Sequence, residues 1–311
     1  MNLDFEYTSL AEIVAAACEA KLPISRLVLR QQALETETNE EALFKRMDET
    51  YTVMESCIEP GCEEGLRSTS GLTGGSAFKM RRQVESKKNL TGSVMGGALY
   101  RALAVSELNA AMGRVVAAPT AGSCGILPAA VLAMQDELGC SRKDCVMSLF
   151  TASAVGMIIA NNASLAGAQG GCQAECGSAA AMAAAAVTEL YGGSPQQVSH
   201  AVSIALKNIL GLVCDPVAGL VEIPCIKRNA SGVAGALVAA ELALAGIESA
   251  IPADEVIIAM KRVGDAMSST LKETAEGGLA ATPTGRALYR RVFGTDQPEG
   301  CCTGSCAGCG K

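Results

Sequence analysis

Residues 146–160, 176–190 and 231–245 read VMSLFTASAVGMIIA, CGSAAAMAAAAVTEL and SGVAGALVAAELALA, apolar or small on nearly every face. A helix without a polar stripe has no side to turn toward water, so it must be surrounded by other helices. Ala and Gly let neighbouring backbones approach closely, and with aromatics at only 3% the core cannot rely on ring stacking. Strand signals are nearly absent: there is no sustained period-two alternation and no Asn-Gly or Asp-Gly hairpin between β-branched runs. The expected fold class is all-α, a large multi-helix bundle with small-residue core helices and Gly-rich interhelix loops.

Local signals place most of the helix ends. Ser9 with Glu12 is a capping box for a helix to Glu19, and Pro23 restarts one that ends near Leu34. Asn39 caps residues 40–57, Ser141 with Asp144 opens residues 142–160, and Ser194-Pro195 with Gln197 opens a helix to Leu210, closed by Gly211. Further helices are expected at 76–86, 92–112, 126–138, 231–245, 254–271 and 284–292. Between them lie three Gly-rich loops, EEGLRSTSGLTGG, VVAAPTAGSCG and SLAGAQGGCQAECG, and a segment broken by two prolines, VCDPVAGLVEIPCIKRN. The expected organisation is one domain over 1–293 and a flexible Cys-rich tail over 294–311.

Composition narrows the chemistry. Lys and Arg total 25 against 32 Asp and Glu, a net charge of −7, which argues against nucleic-acid binding through counterion release. The N-terminus lacks the basic-then-apolar order of a signal peptide, and the apolar stretch 146–160 is short for a membrane span, so no membrane association and a cytoplasmic location are expected. One His excludes a three-histidine zinc site, and His200, in an ordinary helix, reads as structural. Fourteen Cys in a reducing compartment read as metal binding or catalysis before disulfides.

The thiols sort by position. Cys18, Cys57, Cys140 and Cys145 stand singly on or beside helices, as structural thiols do, while Cys62 lies next to the first Gly-rich loop and Cys124 inside the second. Cys172 follows Gly170-Gly171 at an expected helix start, and Cys214 and Cys225 flank the proline-broken segment. A helix N-terminus favours the thiolate, and irregular backbone leaves amides free for cluster sulfurs. Three thiolates without a fourth nearby suit an iron–sulfur cluster with one open iron rather than a closed zinc site. The spacing matches no compact ferredoxin or zinc-finger run, so on spacing alone each also reads as a buried structural thiol.

The strings AAPTAGSCGILPA (117–129), GCQAECGSAAAMAAAA (171–186) and ALKNILGLVCDPVAGLVEIPCIKRNA (205–230), with STSGLTGG (68–75), closely resemble the α chain of bacterial iron–sulfur-dependent L-serine dehydratase. The resemblance runs over most of residues 1–293. It implies that Cys172, Cys214 and Cys225 hold a 4Fe-4S cluster whose fourth iron is left for the hydroxyl of L-serine. It also implies a β chain, because the Ser-Ser-His-Thr type motif carried by the family's β part is missing here.

The implied reaction eliminates water from L-serine and ends in pyruvate and ammonia, with a Lewis acid stabilising the departing hydroxide. Ser70, Thr73, Gly74 and Gly75 in one loop, Thr120 and Ser123 in another, and Lys227 and Arg228 beyond the third thiol are the expected substrate-binding residues. The base is expected from the β chain. Family members can place a tail cysteine on the open iron, which makes Cys309 a candidate fourth ligand in competition with Cys301, Cys302 and Cys306. Two other readings stay open: an L-cysteine desulfidase-type lyase and a non-catalytic iron–sulfur subunit.

Overall fold

An all-face apolar helix finds its stable place only inside a shell of others, and here that helix is the Ala-rich one. The computed structural model describes residues 7–296. The order is α1 (Leu10–Ala20), α2 (Ile24–Glu35), α3 (Glu40–Ser56), α4 (Ile58–Gly61), α5 (Ser76–Glu85), α6 (Gly92–Ala110) and α7 (Ile126–Leu138). There follow α8 (Arg142–Asn162), α9 (Gly167–Gly170), α10 (Ser178–Leu190), α11 (Pro195–Lys207), α12 (Cys225–Leu244), α13 (Ala253–Ala266) and α14 (Pro283–Phe293). Among the described residues the only β pairing is an isolated parallel bridge between Cys214 and Lys272, so the chain is all-α.

Every residue of α10 from Ser178 to Thr188 is buried. Helices α7, α8, α11 and α12 pack around it, and α6 joins them through α7 and α12. The 21-residue α8 is by length and composition long and apolar enough to cross a membrane, more than its apolar stretch suggested. Two thirds of that window (67%) is buried inside the protein, as in the core helix of a bundle.

Several outer helices borrow their N-terminal caps from another element. Helix α2 begins behind Pro23 and α5 behind Gly75, neither with a capping side chain. The Ser25 amide instead donates to Glu189 at 3.2 Å, and the Ser76 and Ala77 amides donate to the two carboxylate oxygens of Glu107 at 2.9 and 3.0 Å. Asp254 does the same for Leu10 and Ala11 of α1. A carboxylate there satisfies otherwise orphaned amides and meets the positive end of the helix dipole. Because Glu107 is buried and α5 follows the first Gly-rich loop, Glu107→Ala is expected to cost about 2–4 kcal/mol in denaturant unfolding. A cost below about 1 kcal/mol would show that water replaces this cap.

Most expected helix bounds hold to within two residues, with the Ser9, Asn39, Ser141 and Ser194 caps all made. The structure corrects others. Helix α11 stops at Lys207, not Leu210, and α13 stops at Ala266, not Leu271. The third Gly-rich loop contains α9 and a π turn over Gln173–Gly177 that runs straight into α10. Helix α12 begins at Cys225, six residues before expected, because Pro224 precedes the helix instead of breaking it. Helix α14 ends at Phe293, closed by the left-handed Gly294.

Candidate functional site

The three candidate thiols lie on separate segments, and the backbone between them explains how they converge. Gly171, at φ 75°, turns the chain sharply between α9 and the π turn. A Cβ there would stand 2.7 Å from Met267 and 2.8 Å from the Leu212 carbonyl, so only glycine lets the two segments meet. Across that contact the Gln173 amide donates to the Leu212 carbonyl at 2.9 Å. The fully buried Gln173 side chain accepts from the Gly211 amide, also at 2.9 Å, and donates to the Met260 carbonyl at 3.0 Å. Cys172 is thereby fixed beside the segment that carries Cys214.

The link to Cys225 is electrostatic. Arg228, one turn into α12, donates to the Val213 carbonyl at 2.8 Å and to Asp215 at 2.9 Å. Asp215 in turn accepts from the Leu279 amide at 2.8 Å. The Cys214 amide donates to the Leu271 carbonyl, and the Cys214 carbonyl accepts from the Glu273 amide, which clamps this thiol between two loops. Asn229, also buried, donates to the carbonyls of Cys225 and Gly122 at 3.0 and 2.7 Å and accepts from the Gly125 amide at 2.9 Å. The second Gly-rich loop is thus tied to the third thiol.

Cys172, Cys214 and Cys225 are all buried. Burial pushes the Cys214 and Cys225 thiols up, and the charge on Cys172 pushes both further. Cys172 moves the other way: a hydrogen bond shared with Cys176, Sγ to Sγ 3.2 Å, holds it below the ordinary thiol range, with Arg228 helping against burial. Three soft, buried donors within reach of one another's charge are what a cationic iron–sulfur centre requires. No three His, Cys, Asp or Glu among the described residues gather tightly enough for a single metal ion. The donor set, three buried soft thiols, is of the chemical kind that an iron–sulfur cluster takes.

The expected substrate residues divide. Thr120 Oγ1 lies 3.1 Å from Ser123 Oγ and donates to Glu175. Ser123 is fully buried, so its hydroxyl props Thr120. Thr73 donates to the buried Glu222 at 2.7 Å, which ties the first Gly-rich loop to the segment just before Cys225. Ser70 shares a hydrogen bond with Ser68 and accepts from the Leu72 amide. Gly74 and Gly75 carry positive φ at the turn into α5. Arg228 points inward, as described, whereas Lys227 is exposed. His200 accepts from the Ser249 amide at 3.2 Å, a structural contact. Cys301, Cys302, Cys306 and Cys309 lie outside the described residues.

Two features escaped sequence reading. Cys176 lies against Cys172, and the i, i+4 spacing could have signalled a shared face. Glu175 had a fainter signal, a carboxylate with no Lys or Arg within four residues to pair it. An apolar cleft of about 490 Å³ opens at the far end of the bundle, lined by Met95, Met134, Leu138, Tyr191 and Val238. It carries no thiol and lies beside the end of α12 opposite Cys225, about 20–30 Å away along the helix.

A family model described as serine dehydratase alpha chain matches residues 19–280. The chain is 49% identical over 288 residues to a protein of Bacillus subtilis (strain 168) named probable L-serine dehydratase, alpha chain, covering 93% of this chain and 96% of that one. It is 43% identical over 279 residues to the L-serine dehydratase alpha chain of Peptoniphilus asaccharolyticus, covering 90% and 96%. A Streptomyces coelicolor protein named L-serine dehydratase is 40% identical over 286 residues, which are 89% of this chain and 61% of that longer one. With the matched strings distributed around the converging thiols, the chain belongs to the serine dehydratase alpha chain family.

Proposed function

We propose that this chain is the α subunit of an L-serine ammonia-lyase, which removes water from L-serine to give pyruvate and ammonia. The observation that carries the reading is the convergence of three buried thiols beside a polar loop. It is supported by relatives of matching length that bear the name L-serine dehydratase, alpha chain. In this reading Cys172, Cys214 and Cys225 hold a 4Fe-4S cluster. When bound, the cluster supplies a Lewis acid for the hydroxyl that departs, the step for which hydroxide is otherwise a poor leaving group. Arg228 favours the thiolate of Cys172, and Asp215 keeps Arg228 in place. The free backbone amides of residues 120–125 and 70–75 receive the substrate carboxylate, with the loops held by Asn229 and Glu222.

The base that takes the α-proton belongs, in this reading, to a β chain. The support is one of proportion: the chain spans 96% of two relatives named alpha chain but only 61% of the Streptomyces protein, which has further sequence to supply that part. The test is anaerobic reconstitution with iron and sulfide, addition of the β chain, and assay of pyruvate from L-serine and L-cysteine side by side. Pyruvate from L-serine supports the reading. Pyruvate from L-cysteine alone would make the chain a desulfidase, and a cluster with neither activity would make it a non-catalytic subunit. Truncation before Cys301 is expected to abolish any activation lag, because the same reading gives a tail thiol, Cys309 first, to the open iron. An unchanged lag would remove the tail from the mechanism.

A further inference from the structure

L-serine presents three polar groups, and the reading above finds partners for two of them, the hydroxyl and the carboxylate. We propose that Glu175 holds the third, the ammonium group, and thereby selects an α-amino acid over the corresponding hydroxy acid. The inference rests on the proposed dehydratase function.

Its basis is the position of one side chain. From Cys172 to Gly177 every residue is buried except Glu175, which is half-buried, so the π turn that follows the first thiol leaves a single side chain partly accessible. The carboxylate accepts a hydrogen bond from Thr120, whose hydroxyl is braced by the buried Ser123. It also lies against Gly122, where a Cβ would stand 2.5 Å from Oε1, so the second Gly-rich loop is shaped around this carboxylate. Asn229 joins the Gly122 carbonyl to that of Cys225, which ties the loop that meets Glu175 to the backbone of the third thiol.

The electrostatics agree with that geometry. The charge of Glu175 is felt, as a lesser influence than burial, at Cys172, Cys214 and Cys225. Among the described residues it forms no ion pair, and Arg228 is already engaged by Asp215 and the Val213 carbonyl. Burial pushes Glu175 above the usual carboxylate range, with only the Thr120 hydrogen bond working strongly against it. A carboxylate kept from water without a cation is half of an ion pair, and an ammonium completes it. Glu273, whose charge also reaches Cys214, is exposed and can be solvated where it stands.

The test compares KM for L-serine with the inhibition constant of L-glycerate, which replaces the ammonium by hydroxyl. It uses the reconstituted holoenzyme with its β chain, and cluster absorbance per chain is recorded for every variant. Wild type is expected to prefer serine by at least about tenfold. Glu175→Gln should raise KM by about 10- to 100-fold and leave the glycerate constant within about threefold, the worth of one charge-assisted hydrogen bond. Glu175→Asp, which retains the charge, should keep most of the preference, and Glu273→Gln should keep all of it.

Equal changes in the serine and glycerate constants would mean that Glu175 only supports the loop, and the inference falls. It also falls if Glu273→Gln, not Glu175→Gln, abolishes the preference. Glycerate binding wild type as tightly as serine overturns it without any variant, while pyruvate formation would leave the dehydratase reading standing. No pyruvate from L-serine with wild type would remove both.

Discussion

Serine in place of Cys172, Cys214 or Cys225, one at a time, is expected to lower cluster iron per chain and pyruvate formation by more than about a hundredfold, beyond what loss of a supporting contact around a metal costs. An alcohol is harder and far less acidic than a thiol, so it replaces a thiolate poorly on iron. Position sets these three apart more than burial does, since Cys57 is equally buried. The Cys57 sulfur lies 3.1 Å from the Val53 carbonyl and 3.3 Å from the Arg114 carbonyl, so its one proton has an acceptor within its own packing. Cys57→Ala should therefore cost about 1–2 kcal/mol of stability and no cluster. Iron analysis and absorbance after anaerobic reconstitution distinguish the two groups. If the serine variants retain a full cluster, or if Cys57→Ala loses as much iron as they do, the sorting of the thiols is wrong.

The place of these thiols in the fold was legible because glycine and proline interrupt the helices there, and such interruptions are written in the sequence. The caps at Ser9, Asn39, Ser141 and Ser194 were legible for the same reason: each is a local contact between a side chain and the amide three residues on. The π turn over Gln173–Gly177 was not, since one extra residue per turn leaves no periodic trace and its Gly-flanked sequence reads as loop. The start of α12 at Cys225 was hidden by Pro224, a residue that either breaks a helix or stands at its beginning. With that start missed, Lys227 and Arg228 looked alike as loop cations. On a helix they face different ways, and only Arg228 reaches the thiols. The borrowed caps of α1, α2 and α5 were equally hidden, because Asp254, Glu189 and Glu107 come from distant parts of the chain. Long-range polar contacts of this kind also placed Glu175.

Asp215→Ala is expected to destabilise the fold by about 3–5 kcal/mol, the usual cost of removing one partner from a buried ion pair. Asp215 is among the most secluded charged side chains, at 3% exposure, and its partner Arg228 is largely shielded as well. The truncation leaves a guanidinium without its counter-charge and the Leu279 amide without its acceptor, and it removes one of the two Arg228 contacts that tie the loop carrying Cys214 to the start of α12. The double variant Asp215→Ala, Arg228→Met separates these effects. Replacing a buried pair by apolar groups removes the stranded charge, so much of the lost stability should return, as coupling between contacting residues requires. Cluster uptake should stay low even so, since Cys172 has lost the neighbouring positive charge and the Val213 carbonyl has lost its donor. Denaturant unfolding and iron per chain, measured on the same three proteins, report the two quantities independently. Recovery of cluster uptake in step with stability would mean that the pair only holds the fold, and an Asp215→Ala cost below about 1 kcal/mol would mean that water already solvates it.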